Sequence, residues 1–210
     1  MQKKKIILII VLLGAFSLNL QAQYAKQDST YKKWFVGTSL FVLFGNLFEE
    51  VNPPHFAQLD IGYRITGKDI VRFSPKTWKY AWPNGIHPFL NNAYKKSEER
   101  FPGYVREYGI TVSYQRFLWK GFYVQLDAMP TYQVFVNDNR KKVGNGFQLF
   151  NSYRIGYHIK LFKDRFFFQP SICITHRAYH TELPTGFKQL DDKWSKFIFP
   201  EPGLNIGFNF

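Results

Sequence analysis

The stretch Ala57-Gln58-Leu59-Asp60-Ile61-Gly62-Tyr63-Arg64-Ile65-Thr66 decides the fold class, because apolar and polar residues alternate along its whole length. Successive side chains of a β-strand point to opposite faces of the sheet. One face of this segment is therefore apolar, and the other carries Asp60 and Arg64. The pattern predicts a long strand with one polar face.

The same alternation recurs on both sides of this stretch. Five further segments show it clearly: residues 104–117, 122–134, 147–161, 166–175 and 197–210. Two more, residues 34–45 and 70–78, fit less closely, and Pro75 interrupts the second because proline cannot donate to a strand ladder. Together these segments predict an all-β chain of about eight strands.

The connections between the predicted strands alternate between short and long. Residues 66–69, 118–121 and 162–165 are short turns, whereas residues 47–55, 80–103, 137–145 and 178–192 are long. Outer-membrane barrels have short periplasmic turns, long outer loops and an even number of strands. The pattern predicts a single closed antiparallel up-and-down transmembrane β-barrel over residues 34–210, with both termini in the periplasm.

The N-terminus has the features of a secretory signal peptide. Three lysines at positions 3–5 precede an apolar core over residues 6–16, and Ala22 offers a small residue before Gln23. We predict cleavage between Ala22 and Gln23, with residues 23–33 as a short periplasmic segment before the barrel. No apolar run of about 20 residues follows, so a helical membrane protein is excluded.

Charge indicates which partners suit the exported chain. Removal of the signal leaves 25 basic residues (28 minus 3) against 15 acidic residues, a net charge of +10. An exported protein does not meet nucleic acid, so the expected partners are outer-membrane lipid and lipopolysaccharide, whose phosphates are anionic. Cations that border the membrane and solvate the turns would explain the same balance.

The last strand carries a resemblance. The segment Gly203-Leu204-Asn205-Ile206-Gly207-Phe208-Asn209-Phe210 resembles the terminal strand of outer-membrane barrel proteins, with apolar Leu204, Ile206, Phe208 and Phe210 at alternate positions. That resemblance implies an assembly signal read by the barrel-assembly machinery. Further stretches, including residues 78–80, 101–109, 114–121 and 199–204, are similar to uncharacterised Bacteroidetes-type outer-membrane barrels. This wider resemblance implies a location in the outer membrane but no activity.

The polar faces of the strands predict what fills the barrel. Eight strands enclose only enough space for side chains or one small ligand. Buried charges must pair or be hydrated. The structural interpretation is therefore a salt-bridge network, and the alternative is a narrow gated polar path. The predicted inward set is Asp60, Arg64, Glu107, Asp127, Arg154, His158, Lys160 and Glu201.

Histidines and serines near the outer rim raise the possibility of a metal or catalytic site. His176 and His180 lie four strand positions apart, roughly 13 Å, which is too far for one metal ion. A serine hydrolase site could draw on Ser152 or Ser171 with His158, His176 or His180 and on Glu182. The sequence lacks a serine soon after His176, the arrangement expected of deacylases. We therefore predict no catalytic residue, metal or cofactor.

Loop composition allows a binding role. Aromatic and cationic residues are mixed in Tyr80-Ala81-Trp82-Pro83-Asn84-Gly85, in Tyr94-Lys95-Lys96 and in Arg140-Lys141-Lys142. The leading hypothesis is a structural or surface protein that binds glycolipid. The alternatives are a deacylase-like enzyme that modifies lipid A, a narrow gated pore, and a soluble periplasmic lipocalin-like binder whose apolar faces would point inward.

Overall fold

The structure, a computed structural model, describes residues 32–41, 55–85 and 100–210, and residues Lys32–Phe210 form one compact unit. In these ranges no helix is long and apolar enough to cross a membrane. The strands are β1 (Trp34–Ser39), β2 (His55–Gln58), β3 (Asp60–Arg64), β4 (Asp69–Tyr80), β5 (Tyr104–Trp119), β6 (Phe122–Val136), β7 (Lys142–Tyr157), β8 (Ile159–Leu161), β9 (Phe166–His180) and β10 (Phe197–Asn209). One helix, α1 (Thr185–Asp191), and a 3-10 turn, Pro83–Gly85, complete the described elements.

The strands form one antiparallel sheet that closes on itself. Neighbours along the chain pair from β3 to β7, β7 pairs with β9, β9 with β10, β10 with β1, and β1 with β3. β2 and β3 are two parts of one interrupted strand that pairs with β4, and β7 and β8 are two parts of another that pairs with β9. The ring therefore has eight strand positions. The predicted all-β class, antiparallel pairing and strand number are confirmed.

The stretch that predicted one continuous strand is divided at Leu59. Leu59 donates its N–H to the carbonyl of Pro75 at 3.1 Å, but Pro75 has no N–H to return the bond. The ladder therefore breaks between β2 and β3. The strand begins at His55 rather than Ala57 and ends at Arg64, before the turn that leads to Asp69.

Other boundaries differ from the predictions at the long connections. β7 begins at Lys142, so the connection predicted at residues 137–145 is shorter. β9 continues to His180 and β10 begins at Phe197, so the connection predicted at residues 178–192 is displaced to residues 181–196, and it contains α1. β1 ends at Ser39, and residues 42–54 and 86–99 lie outside the described part. The signal peptide, Ala22, Gln23 and most of the predicted periplasmic segment also lie outside it.

The two faces of the ring have opposite polarity. In β5, Glu107 and Gln115 are 1% exposed, whereas the intervening Ile110 and Val112 are 41% and 54% exposed. The alternation repeats in β4, β6, β7, β9 and β10. Polar side chains therefore line the inside, and apolar side chains cover the outside.

An apolar cluster lies inside each end of the ring. At the end with short connections, the turn end, Phe35, Ile70 and Phe167 form the turn-end cluster. At the other end, the loop end, α1 crosses the ring, and Phe187 packs on Phe101 and Phe135 with centroids 4.9 and 5.1 Å apart. The loop-end cluster comprises Tyr80, Phe101, Val105, Phe135, Leu183 and Phe187.

Candidate functional site in the ring interior

The ring interior contains seven of the eight predicted polar residues. Asp60, Arg64, Glu107, Asp127 and His158 are buried, and Arg154 and Glu201 are partly buried at inward positions. Lys160 differs because it lies at the open turn end, where its side chain is 57% exposed. The predicted set is therefore brought together except for Lys160.

Asp60 is held by hydrogen bonds and by a cation from the neighbouring strand. Ser74 and Gln58 donate to its Oδ1 at 2.6 and 2.7 Å, and Arg72 Nη1 lies 3.7 Å from its Oδ2. The Arg72 guanidinium also donates to Gln115 and Gln169 at 3.1 Å each. This side of the interior is a connected network in which each charge has a partner.

A second network lies on the β6, β7 and β9 side. Arg154 Nε is 3.8 Å from Asp127 Oδ2, and Arg154 Nη1 donates to Ser171 Oγ at 2.9 Å. Gln125 donates to Asp127 at 2.7 Å. Glu201 accepts a hydrogen bond from Thr175, whose hydroxyl also contacts Ser152 at 2.7 Å.

Glu107 lies directly beneath the loop-end cluster. Its Oε1 accepts from the Tyr80 hydroxyl at 2.6 Å, from Gln133 at 3.0 Å and from Gln148. Its Oε2 has no hydrogen-bond partner among the described residues. Among the described cations, Lys76 acts most strongly on the charge of the Glu107 carboxylate, followed by Arg177.

A buried ion pair joins α1 to the wall. Arg177 Nη1 and Nη2 donate to the two carboxylate oxygens of Asp191 at 2.7 and 2.6 Å, and both side chains are at most 5% exposed. Paired parallel hydrogen bonds of this kind are the strongest arginine–carboxylate geometry. The pair fixes α1 over the loop end.

The turn end carries a smaller charged group around Asp164. His158 Nε2 and Lys160 Nζ lie 3.7 and 3.2 Å from its carboxylate oxygens. Burial alone would raise the pKa of Asp164, but the His158 imidazole and the Lys160 ammonium hold this pKa below its usual value. Arg64 lies nearby and donates to Asn209 at 3.1 Å.

Inward charges in the described part of the ring are balanced. Five carboxylates, Asp60, Glu107, Asp127, Asp191 and Glu201, face five cations, Arg64, Arg72, Lys76, Arg154 and Arg177. Their charges therefore offset one another between the two apolar clusters.

The serines and histidines that could have formed a catalytic or metal site contact other residues rather than one another. The Ser152 hydroxyl contacts Thr175, and the Ser171 hydroxyl contacts Arg154 and the Gly203 carbonyl. His176 stacks on Phe197 with centroids 4.3 Å apart. His180 Nδ1 lies 2.9 Å from the Thr181 carbonyl, while Glu182 pairs with Lys188. No group of three metal-ligating side chains occurs among the described residues.

The loop residues weighed for ligand binding fall into three classes. Residues 80–85 are buried, so the aromatic side chains of this segment do not form an exposed surface. This segment instead supplies Tyr80 to the loop-end cluster, and Asn84 donates to the Ser195 carbonyl at 2.9 Å. Tyr94, Lys95 and Lys96 lie outside the described residues, whereas residues 140–142 are exposed.

The residues of the predicted assembly signal point outward on β10. Ile206, Phe208 and Phe210 are 38%, 36% and 56% exposed, and Leu204 is partly exposed. β10 pairs with β9 on one side and β1 on the other, so it is the strand that closes the ring. The outward apolar row on this strand continues the apolar outer face.

Four charged members of the interior were not predicted from the sequence: Arg72, Lys76, Arg177 and Asp191. Arg72 occupies an inward position between outward Val71 and Phe73, a signal that Pro75 obscured. Arg177 continues the inward series of Cys173 and Thr175 beyond the predicted end of β9. Asp191 had no signal, because its position depends on where α1 crosses the ring.

Comparison with known proteins adds no relative to this geometry: no family model matches the chain, and no match is found among curated proteins or solved structures.

Proposed function

We propose that this chain is an integral β-barrel of the outer membrane, with a closed interior and a structural or glycolipid-binding role at its surface. The observation that carries the proposal is that the ring is polar inside and apolar outside, the reverse of a water-soluble β-barrel. Val112, Leu126 and Tyr153 are 54%, 56% and 49% exposed, while Glu107, Gln125 and Asp127 are at most 7% exposed.

Contact with lipid explains the apolar outer face better than contact with water does. Large contiguous apolar surfaces are rare on soluble monomers. A soluble lipocalin-like binder would place its apolar faces around a cavity, the reverse of what β5 and β6 present. Alternation of apolar outward and polar inward residues is typical of transmembrane barrels. The short turns then face the periplasm, and the loop end faces outward.

The closed interior argues against transport as the main role. The Arg177–Asp191 pair and the loop-end cluster lie across one end, and the turn-end cluster lies across the other. The contacts of Ser152 and Ser171 give no support to the deacylase-like alternative. A surface role remains, consistent with the net positive charge of the exported chain.

Cell fractionation and gel mobility test this proposal. We expect the mature chain in the outer-membrane fraction, migrating faster before boiling than after, and no conductance steps when it is inserted into planar bilayers. Recovery as a soluble periplasmic protein without a heat shift would overturn the membrane assignment. Stable channels from the unmodified protein would overturn the closed interior.

A matched pair of substitutions separates lipid from water at the outer face. Val112→Arg should destabilise a barrel near the bilayer midplane by about 2–4 kcal/mol. In a soluble protein, an exposed position would tolerate the change within about 0.5 kcal/mol. Lys120→Gln, at an exposed turn position, is the control. The measurement is urea-induced unfolding in liposomes, followed by tryptophan fluorescence.

A further inference from the structure

The outer wall carries a row of basic side chains at the loop end of β2, β4 and β5. His55 is paired in register with Lys79, and Lys79 with Arg106, all at outward positions. Side chains directly opposite each other in an antiparallel pair are close neighbours, and like charges there repel. Such a row therefore lowers the stability of the sheet slightly unless its charge is offset.

No described carboxylate offsets this charge. The ion pairs in residues 55–85 and 100–210 involve other cations. Arg140, from the turn between β6 and β7, adds to the field, because it and Arg106 both act electrostatically on the Lys79 ammonium. Lys79 Nζ lies 4.7 Å from the centre of the Tyr104 ring, which orients it without neutralising it.

An apolar groove begins immediately below this row on the same three strands. Its volume is about 640 Å³, within the range of small-molecule sites. Its lining includes Ala57, Leu59, Pro75, Thr77, Tyr108 and Ile110. Thr77 and Tyr108 are one outward position below Lys79 and Arg106, so the groove and the cations are continuous.

The groove lies where the ladder is interrupted on both sides of β4 and β5. Leu59 and Pro75 share only one of the two hydrogen bonds expected of such a pair, because Pro75 lacks an N–H. On the other side of β5, the pairing with β6 omits Ile110, opposite Pro130, and Thr111, opposite Met129. Two prolines at one level thus leave a shallow depression in the wall.

We propose that this surface, the β2–β4–β5 patch, binds a phosphorylated glycolipid of the outer leaflet, with a phosphate on Lys79 and Arg106 and an acyl chain in the groove. The proposal rests on the membrane location and orientation proposed above. Several adjacent cations suit a phosphate monoester, which carries more charge than the phosphodiester of a common phospholipid. The apolar groove suits the chain attached to it.

Native mass spectrometry of the full mature chain in detergent micelles tests the proposal, with diphosphorylated lipid A as the probe. Lys79→Gln combined with Arg106→Gln should weaken binding roughly 30-fold, from the typical contribution of each basic residue near an anionic surface. Arg116→Gln, on the same face of β5 but paired with Asp69, is the matched control and should bind like the unmodified protein.

A second pair of variants tests the groove. Ala57→Trp fills it and should weaken binding at least tenfold, whereas Ala128→Trp, at an exposed outward position on β6, should not. Dephosphorylated lipid A and phosphatidylglycerol are the comparison lipids. Equal binding of phosphatidylglycerol would overturn the choice of glycolipid, and equal losses in Arg116→Gln would show only general attraction to positive charge.

Gel mobility distinguishes the two levels of failure. Each variant is first checked for outer-membrane recovery and faster migration before boiling. If the unmodified protein fails that check, the membrane proposal fails and this one with it. If all variants pass and Lys79→Gln with Arg106→Gln still binds normally, the membrane proposal stands and the lipid site alone is overturned.

Discussion

The two ends of the β4–β5 hairpin handle outward charge differently. At the turn end, Arg116 donates to Asp69 at 2.9 Å, and Tyr114 donates to the same carboxylate at 2.6 Å. At the loop end of the same two strands, Lys79 faces Arg106 with no described acid beside them. The turn end compensates its cations within the chain, whereas at the loop end the described residues supply no acid, which is where we propose that a lipid phosphate binds.

The interior shows a parallel contrast between the ends. The turn-end cluster is built from strand residues. The Phe35 ring, for example, packs on the Phe167 ring with centroids 5.2 Å apart and fills the space beside Gly62. The loop end depends on chain that leaves the strands, since α1 contributes Phe187 and Asp191. The turn end is therefore closed by the wall itself, and the loop end by an added segment.

Removal of the ion pair at the loop end should have the largest effect on stability. Arg177→Ala leaves Asp191 buried without its partner and should lower the free energy of unfolding by about 3–5 kcal/mol. Urea-induced unfolding in liposomes measures this change. Arg177→Met with Asp191→Leu is the control, and should restore stability because apolar replacement removes both buried charges. A loss below about 1 kcal/mol in Arg177→Ala would contradict a fixed α1.

A smaller loss is expected from trimming the turn-end cluster. Ile70 is 1% exposed, so Ile70→Val should cost about 0.5–1.5 kcal/mol, because it removes one buried methylene group. Ile61, on neighbouring β3, is 39% exposed and points outward. Ile61→Val should therefore change stability by less than about 0.5 kcal/mol. Equal losses in the two variants, in the same unfolding assay, would contradict the assigned faces.

These contrasts also show what the sequence could reveal. Alternation placed Asp60, Arg64, Glu107 and Asp127 on the polar faces of their strands, because a strand's period of two is a local property. The interpretation as an outer-membrane barrel then predicted that these faces point inward. Pro75 hid Arg72, since a single proline disturbs the pattern without removing the strand. The closed loop end could not be predicted, because the contact of Phe187 with Phe135 depends on how a long connection crosses the ring.

The β2–β4–β5 patch could not be predicted from the sequence for a related reason. Lys79 and Arg106 are 27 positions apart in the sequence, and only the register of β4 against β5 brings them together. Each residue alone is typical of a basic chain near a membrane boundary. Strand boundaries were also hard to predict at Lys142 and His180, where the strands extend past the apolar alternation.

Loss of the turn-end ion pair should have a modest effect that depends on salt. Asp69→Asn should lower the free energy of unfolding by about 0.2–1 kcal/mol at low salt, because Arg116 and Asp69 are partly exposed. The difference should shrink at high salt.

Arg106→Glu makes the opposite change, since it gives Lys79 an acidic neighbour. We expect it to preserve stability while abolishing glycolipid binding, which unfolding and native mass spectrometry would measure separately.

The smallest effect concerns the pH dependence contributed by Asp164 at the turn end. Its pKa in the folded chain is lowered: burial opposes the shift, but His158 and Lys160 outweigh it. The ionised carboxylate therefore stabilises the fold fully above its unfolded pKa of about 3.9, and this contribution is lost as the pH falls through the lower folded value. Asp164→Asn should remove that part of the acid sensitivity, whereas Asp138→Asn, in the turn between β6 and β7, should leave it in place. An unchanged stability profile below about pH 4 in Asp164→Asn would show that the His158 and Lys160 contacts do not form in the folded protein.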